Sequence, residues 1–251
     1  MTFRNILHGW QGKQVSSFGS FRKNRKADNP SVVTQGLILH LDPGNPLSYT
    51  GTGTTWTDLS GNGNNSTLTN GPTFSPVNNG ILTFDGVNDF AQTSLFDADN
   101  SKTFSTWFYP TSAAANNSTA LMRGRDNSGV GWNLRIGFNS ATGDRYRASA
   151  VIGVTAYDAF ATGASLNTWV HLTGVYIAGT SINLYVNGIL SATTATPVGA
   201  LRISTAGWVS ASSSASNFNA QSNGQVLVYD RVLSSSEIMQ NFQATRARYG
   251  V

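Results

Sequence analysis

Glu237 is the only glutamate in the chain, and it stands three residues after Ser234 in Ser234-Ser-Ser-Glu237. Retaining glycoside hydrolysis needs two carboxyl groups about 5–5.5 Å apart, flanking the scissile bond. With one glutamate, that pair would have to come from aspartates. Asp97-Ala-Asp99 offers the closest spacing, in a turn after Phe96, and is a poor catalytic pair. His8, His40 and His171 lack the Ser and Asp surroundings of a nucleophilic triad. His171 reads instead as a hydrogen-bonded side chain on a sheet face. These residue types argue against an enzyme.

Two binding chemistries remain. In Asp58-Leu-Ser60-Gly-Asn62-Gly63, oxygens alternate and a glycine falls where a calcium loop turns sharply. Asp58 and Asn62 are therefore candidate Ca²⁺ ligands, although Thr69 occupies the place of the bidentate glutamate. The competing reading has Asp58, Asn62 and Asn64 bonding nearby backbone in turns, with Asp85 and Asp89 doing the same. No cofactor is required on either reading. Sugar recognition calls for an aromatic plate beside polar hydrogen-bonding groups. Trp208, amid Ser, Asn and Gln in the polar stretch Ala206–Asn223, is the first candidate, and Trp132, after Gly129-Val-Gly131, is the second. Core or interface packing is the competing reading for both.

The elements that would position these groups are short and β-like. Strands are predicted at Leu37–Leu41, Thr54–Leu59, Ser66–Leu68, Gly80–Phe84, Phe90–Thr93, Thr103–Tyr109 and Trp132–Phe138. Others follow at Arg145–Ile152, Thr168–Tyr176, Ser181–Val186, Ile189–Thr193, Leu201–Ser204 and Gln225–Tyr229. Thr103–Tyr109 is bulky on both faces, which predicts an inner strand covered on two sides. Asn187-Gly188 predicts a two-residue hairpin, and Asp85-Gly86 a second tight turn. Ser234 and Glu237 have capping-box spacing, Ile238, Met239 and Phe242 share one helical face, and Gly250 closes the helix. About twelve to fourteen such strands predict an all-β, two-sheet antiparallel jelly-roll sandwich with a short C-terminal helix.

Only 11% of the 251 residues are charged, against about a quarter in ordinary soluble domains. There is no cysteine, so neither a disulfide framework nor a thiolate metal site is available. No apolar run approaches the roughly 20 residues needed to cross a bilayer, and Met1–Ser20 lacks the apolar block of a secretory signal. A soluble chain with no membrane partner is expected. The net charge of +4 is unevenly spread: residues 1–27 carry six basic and no acidic side chains. Such an arm reads either as a solvated tail or as an anchor. Phe3, Trp10, Phe18 and Phe21 beside Arg22, Lys23, Arg25 and Lys26 favour docking on an acidic protein surface over contact with nucleic acid.

Three segments resemble one family. Asn167-Thr-Trp-Val-His-Leu-Thr-Gly-Val-Tyr176, followed by Ile182-Asn-Leu-Tyr-Val-Asn-Gly188, resembles the central hairpin of laminin-G-like domains in the concanavalin-A-like lectin/glucanase fold. Phe84-Asp-Gly-Val-Asn-Asp-Phe90 resembles their early strand and turn, and Gln225–Ile238 their closing strand and helix. Gly36-Leu-Ile-Leu-His-Leu-Asp-Pro-Gly44 and Trp56-Thr-Asp-Leu-Ser-Gly-Asn-Gly-Asn-Asn65 are similar to domains of tailed-bacteriophage virion proteins. The resemblance spans residues 36–250 and implies a sandwich over 36–251, with residues 1–35 as an anchoring arm. Glycosidases of that fold use a Glu pair that this chain lacks. The resemblance implies a non-enzymatic virion structural protein, assembled in the host cytoplasm as a multicopy or homo-oligomeric capsid decoration. Its arm would dock on a major capsid or tail protein. The alternative is a tail or fibre adhesin that binds host-surface glycans.

Overall fold

The alternation of apolar and polar residues resolves into two eight-stranded antiparallel sheets. The computed structural model describes residues 30–93, 101–111, 118–125, 132–139, 144–199, 201, 207–210 and 218–251. The first sheet contains β1 (Leu37–Leu41), β4 (Thr73–Ser75), β5 (Ile81–Asp85), β7 (Lys102–Pro110), β12 (Val170–Ile177), β13 (Ser181–Val186), β14 (Ile189–Ala195) and β16 (Ala220–Tyr229). Its order is β14-β13-β12-β7-β16-β5-β4, with β1 also paired to β16. The second contains β2 (Thr55–Trp56), β3 (Ser66–Thr69), β6 (Phe90–Thr93), β8 (Ser118–Arg125), β9 (Trp132–Asn139), β10 (Arg145–Ile152), β11 (Thr155–Thr162) and β15 (Gly207–Val209). Its order is β11-β10-β9-β8-β15-β6-β3-β2.

The core lies between the sheets, where Phe104, Phe108, Val170 and Leu172 of the first meet Leu134, Ile136, Phe138 and Ala148 of the second. Gly174 in β12 is required for this packing. A Cβ there would come within 2.4 Å of the Phe104 ring and 2.8 Å of Ile136. Asn187 (φ 50°) and Gly188 (φ 81°) turn β13 into β14 with the two positive φ angles expected of a hairpin of this kind.

Asp85-Gly86 behaves differently from the expectation. β5 and β6 belong to different sheets, so the chain crosses between layers rather than folding back. Asp85 Oδ1 accepts hydrogen bonds from the backbone N–H groups of Val87 and Asn88, which holds a wider turn. Four strands escape the periodicity reading: β4, β8, β11 and β15. In β11 the inward positions Ala159 and Ala161 are buried but small, which mutes the hydrophobic signal. Of the strand expected at Leu201–Ser204, Leu201 makes a single bridge to Ile152, and the rest lies outside the described residues.

The helix α1 (Ser235–Tyr249) covers the outer face of the first sheet. Ser234 Oγ accepts from Glu237 N–H (3.3 Å), Glu237 Oε2 accepts from Ser234 N–H (2.8 Å), and Gly250 closes the helix at φ 72°. Trp107, on the outward face of β7, is fully buried beneath the helix. Its ring stacks on Tyr249 (4.2 Å between centroids) and Phe242 (5.8 Å), and its Nε1–H donates to Thr245 Oγ1 (2.8 Å). The central strand is thus covered on both sides, as its two bulky faces predict. Arg248 ties the helix end to the loop after β1, donating to both oxygens of Asp42 and to the carbonyl of Gly80.

His171 lies in the same layer, 5.2 Å from Trp107 and 6.0 Å from Phe242 between ring centroids. Its Nδ1 has no hydrogen-bond partner among the described residues, so the expected hydrogen-bonded histidine is instead a ring packed among aromatics. Burial pushes its pKa down to about 3. The unfolded imidazole takes up its proton near 6.5, whereas the folded one stays neutral to about 3. Its share of stability is therefore complete above pH 6.5. That share falls by about 1.4 kcal/mol per pH unit as pH drops towards 3. Urea unfolding at pH 7.5 and pH 5 should show this slope, and His171→Phe should remove that share of it.

Candidate functional site

Asp58 is buried, and each of its carboxylate oxygens accepts two hydrogen bonds. Oδ1 receives the N–H groups of His40 (2.8 Å) and Ser60 (2.9 Å); Oδ2 receives Ser60 Oγ–H (2.7 Å) and Asn64 N–H (3.0 Å). Asn62 is linked to it through Ser60, since Asn62 Nδ2 donates to Ser60 Oγ (3.0 Å) and to the Leu37 carbonyl (3.1 Å). A cation at Asp58 would face the hydrogens of these four donors. The donor set does not fit Ca²⁺; it clamps the loop onto β1. Among the described residues no cluster of three or more His, Cys, Asp or Glu side chains is placed to hold a metal.

The backbone of Trp208 lies in β15, a strand between β8 and β6 in register with Met122 and Gln92, rather than in a rim loop. Trp132 begins β9, opposite Arg125 of β8. Both belong to the second sheet, on strands that flank β8. Trp10, Phe18, Phe21, Arg22, Lys23, Arg25 and Lys26 lie outside the described residues, as do His8, Asp97 and Asp99. At the end of the arm, Val33 is buried: its N–H donates to Asn241 Oδ1 (2.8 Å) and its carbonyl accepts from the Tyr229 hydroxyl (2.9 Å).

Among the described residues, Asp42, Asp58, Asp85, Asp89, Asp158 and Glu237 are engaged in structural hydrogen bonds. Glu237, besides capping α1, pairs with Arg231 Nη2 at 2.6 Å, and this hydrogen bond lowers its pKa to about 2. Asp85 is held low, first by the Val87 N–H, while burial raises Asp89. Burial lowers the pKa of His40 against the pull of Asp42 and Asp58; its Nε2 lies 3.0 Å from Gln225 Nε2. A cleft of about 240 Å³ at the rim is lined by Pro43, Pro46, Tyr49, Phe74 and Pro76. It is smaller than the usual ligand site of about 300–1,000 Å³.

The outer face of the second sheet has a different chemistry, which periodicity alone did not disclose. Leu134, Ile136 and Phe138 of β9 and Tyr146, Ala148 and Ala150 of β10 point inward, so the alternate residues line the outer face. Register then builds cross-strand rows. Arg135 stands beside Ser149 and Asp158 in one row, Gly137 beside Arg147 and Phe160 in the next, and Asn139 beside Arg145 and Thr162 in a third. Ser149 Oγ–H donates to Asp158 Oδ1, and the Arg145 guanidinium lies 4.1 Å from the Phe160 ring centroid.

Arg135 and Arg147 are only 7% and 2% exposed, whereas Arg145, Asp158 and Phe160 are half-buried. Burial, then the neighbouring charge of Arg147, pushes the pKa of Arg135 down to about 8, against the pull of Asp158. Arg147 is pushed down to about 10, again chiefly by burial. Both guanidinium groups have interaction partners within the protein, and perturbation of this kind occurs in structural networks as well as at binding sites. A trace was present in the sequence: Arg145 and Arg147 alternate on one strand, and Arg135 is out of phase with the apolar positions of its own. Without β11, nothing showed that these faces coincide.

A family model described as the concanavalin A-like lectin/glucanases superfamily matches residues 83–239, more than half of the chain. It begins beyond Gly36–Asn65, so those segments lie outside the match. No curated protein sequence matches. Among solved structures, the chain is similar to the binding domain of Paraclostridial Mosquitocidal Protein 1, at TM-score 0.65 and 16% identity over 83% of this chain and 52% of that one. The Trypanosoma rangeli sialidase in complex with sialic acid gives 0.66 and 18% over 87% and 34%. The botulinum neurotoxin serotype G binding domain gives 0.65 and 14% over 82% and 50%. The chain thus spans about half of the two binding domains and a third of the sialidase, and at these identities the likeness concerns the fold.

Proposed function

We propose that this chain, which belongs to the concanavalin A-like lectin/glucanases superfamily, is a non-catalytic carbohydrate-binding protein whose ligand sits on the outer face of the second sheet. One observation carries the reading. α1 seals the outer face of the first sheet, while the corresponding face of the second carries the half-buried Arg145, Asp158 and Phe160 along β10 and β11, beside the buried Arg135, Arg147, Ser149 and Asn139. Sugar sites combine such directed polar groups with apolar or aromatic surface. Two of the similar structures are the binding domains of Paraclostridial Mosquitocidal Protein 1 and of a botulinum neurotoxin, and the third is a sialidase in complex with sialic acid, which is in keeping with this reading. The engagement of Glu237 and Asp85 in structural hydrogen bonds supports binding without catalysis. The full chain is expected to be retained by at least one glycan on an immobilised panel and to release no sugar from it. Retention by none, or release of reducing ends, would overturn the proposal.

The finer reading, a virion surface protein held by its arm, is favoured by the six basic and no acidic residues within 1–27. Because Val33 is buried, the arm and the sandwich are separable only before Ser31. Removing residues 1–29 is expected to leave thermal unfolding unchanged and to abolish incorporation into particles. Removing 1–35 should cost about 1–3 kcal/mol in addition, through the lost Val33 contacts. Normal particle occupancy of the shorter deletion would contradict the anchor.

A further inference from the structure

We propose that a second copy of this chain pairs with it through β14, strand against antiparallel strand, so that the first sheet continues across a two-fold axis. The contact lies apart from the outer face of the second sheet and does not depend on what binds there. An unpaired strand edge offers its N–H and C=O groups to any passing strand, and stable proteins shorten, charge or cover such edges. Among the described strands, four of the five edges are managed in that way. β2 has two residues, and β4 has three, set between Pro72 and Pro76. β1 is covered on its free side: Asp58 Oδ1 accepts from the His40 N–H (2.8 Å), and Asn62 and Asn64 donate to the Leu37 and Ile38 carbonyls (3.1 and 2.7 Å). β11 carries Asp158, whose carbonyl accepts from Thr194 Oγ1–H (2.8 Å). β14 is the exception. Its seven residues, Ile-Leu-Ser-Ala-Thr-Thr-Ala, include neither a charge nor a proline, and five of them are exposed. It pairs with β13 alone, and among the described residues no backbone hydrogen bond from outside the hairpin reaches it.

The edge is complementary to itself. Ile189 (63% exposed) and Leu190 (51%) stand at one end of it, and Val198 (91%), just beyond Ala195, stands at the other. An extra residue, Ser191, interrupts the register with β13 and leaves Ala192–Ala195 as the regular run. A two-fold axis between Thr193 and Thr194 pairs this run with its own copy, Ala192 against Ala195 and Thr193 against Thr194. The same rotation brings Ile189 and Leu190 of each copy towards Val198 of the other, so both apolar ends leave water together. Every residue in the contact is neutral, so no like charges meet, and a charged partner segment would find no counter-charge. A two-fold contact uses one patch on both copies and closes at two. With three large apolar side chains from each copy and a short ladder, it belongs to the small, transient class of interface, so the dimer is concentration-dependent.

The test is analytical sedimentation of the full chain from about 1 to about 300 μM, the range in which a dimer of micromolar Kd assembles. The chain should pass from monomer to dimer across it. Thr193 is exposed at the middle of the regular run, so Thr193→Lys and Thr193→Glu should leave thermal unfolding unchanged. Each alone should weaken self-association about tenfold or more, because like charges then meet across the axis. An equimolar mixture of the two should dimerise again, less well as salt is raised. A full chain that stays monomeric throughout, a dimer indifferent to both variants, or a mixture no better than either variant alone overturns the inference. A monomer whose amides at 189–195 are nevertheless protected from hydrogen exchange would place the chain's own residues 1–29 on the edge, and overturns it equally.

Discussion

Trp107→Ala is expected to destabilise the sandwich by about 3–5 kcal/mol, the largest effect of any single substitution considered. The ring fills the layer between β7 and α1, where Tyr249, Phe242 and His171 pack around it. Deletion leaves a cavity that the sheet below, fixed by its ladders to β12 and β16, cannot collapse into. Trp107→Phe separates the contributions: it keeps an aromatic ring but loses the Nε1–H bond to Thr245, and should cost about 1–2 kcal/mol. Urea unfolding followed by far-ultraviolet circular dichroism measures both. A cost below about 1 kcal/mol for the alanine variant would mean that the helix is not a structural cover of the first sheet. The outer face of the second sheet would then no longer be singled out as the place for a ligand.

Asp58→Ala should cost about 2–4 kcal/mol, because four donors lose their acceptor together: the N–H groups of His40, Ser60 and Asn64 and the hydroxyl of Ser60. Asp58→Asn keeps the shape but replaces one accepting oxygen by a donating NH₂, and should fall between the alanine variant and the parent. The hydrogen-bonded clamp also predicts that the melting temperature of the parent is the same with millimolar Ca²⁺ and with chelator. A rise of several degrees with Ca²⁺, lost in Asp58→Asn, would reinstate the loop as a cation site.

What was legible in the sequence was local and geometric. Ser234 and Glu237 form their reciprocal cap because three-residue spacing brings each side chain to the other's N–H group. Asn187-Gly188 turns as expected because few residue pairs tolerate two positive φ angles. β7 reads as covered on both sides because Phe104 and Phe108 alternate with Trp107. The candidate site was hidden for a different reason. Arg135, Arg147 and Asp158 lie on three successive strands and meet only through register, and β11, which completes the rows, has small alanines at its core positions. Trp208 was misplaced because its three-residue strand is embedded in a Ser- and Ala-rich stretch. Its pairing to β6 and β8, not its neighbours in sequence, makes it a strand.

Backbone hydrogen exchange of the full chain, with and without a saturating glycan from the panel, tests the location of the site directly. Slowed exchange across residues 132–139 and 145–162, with residues 235–249 unaffected, is the predicted outcome. Protection confined to α1 or to the Pro43–Gly80 rim, with β9 to β11 unchanged, would contradict it.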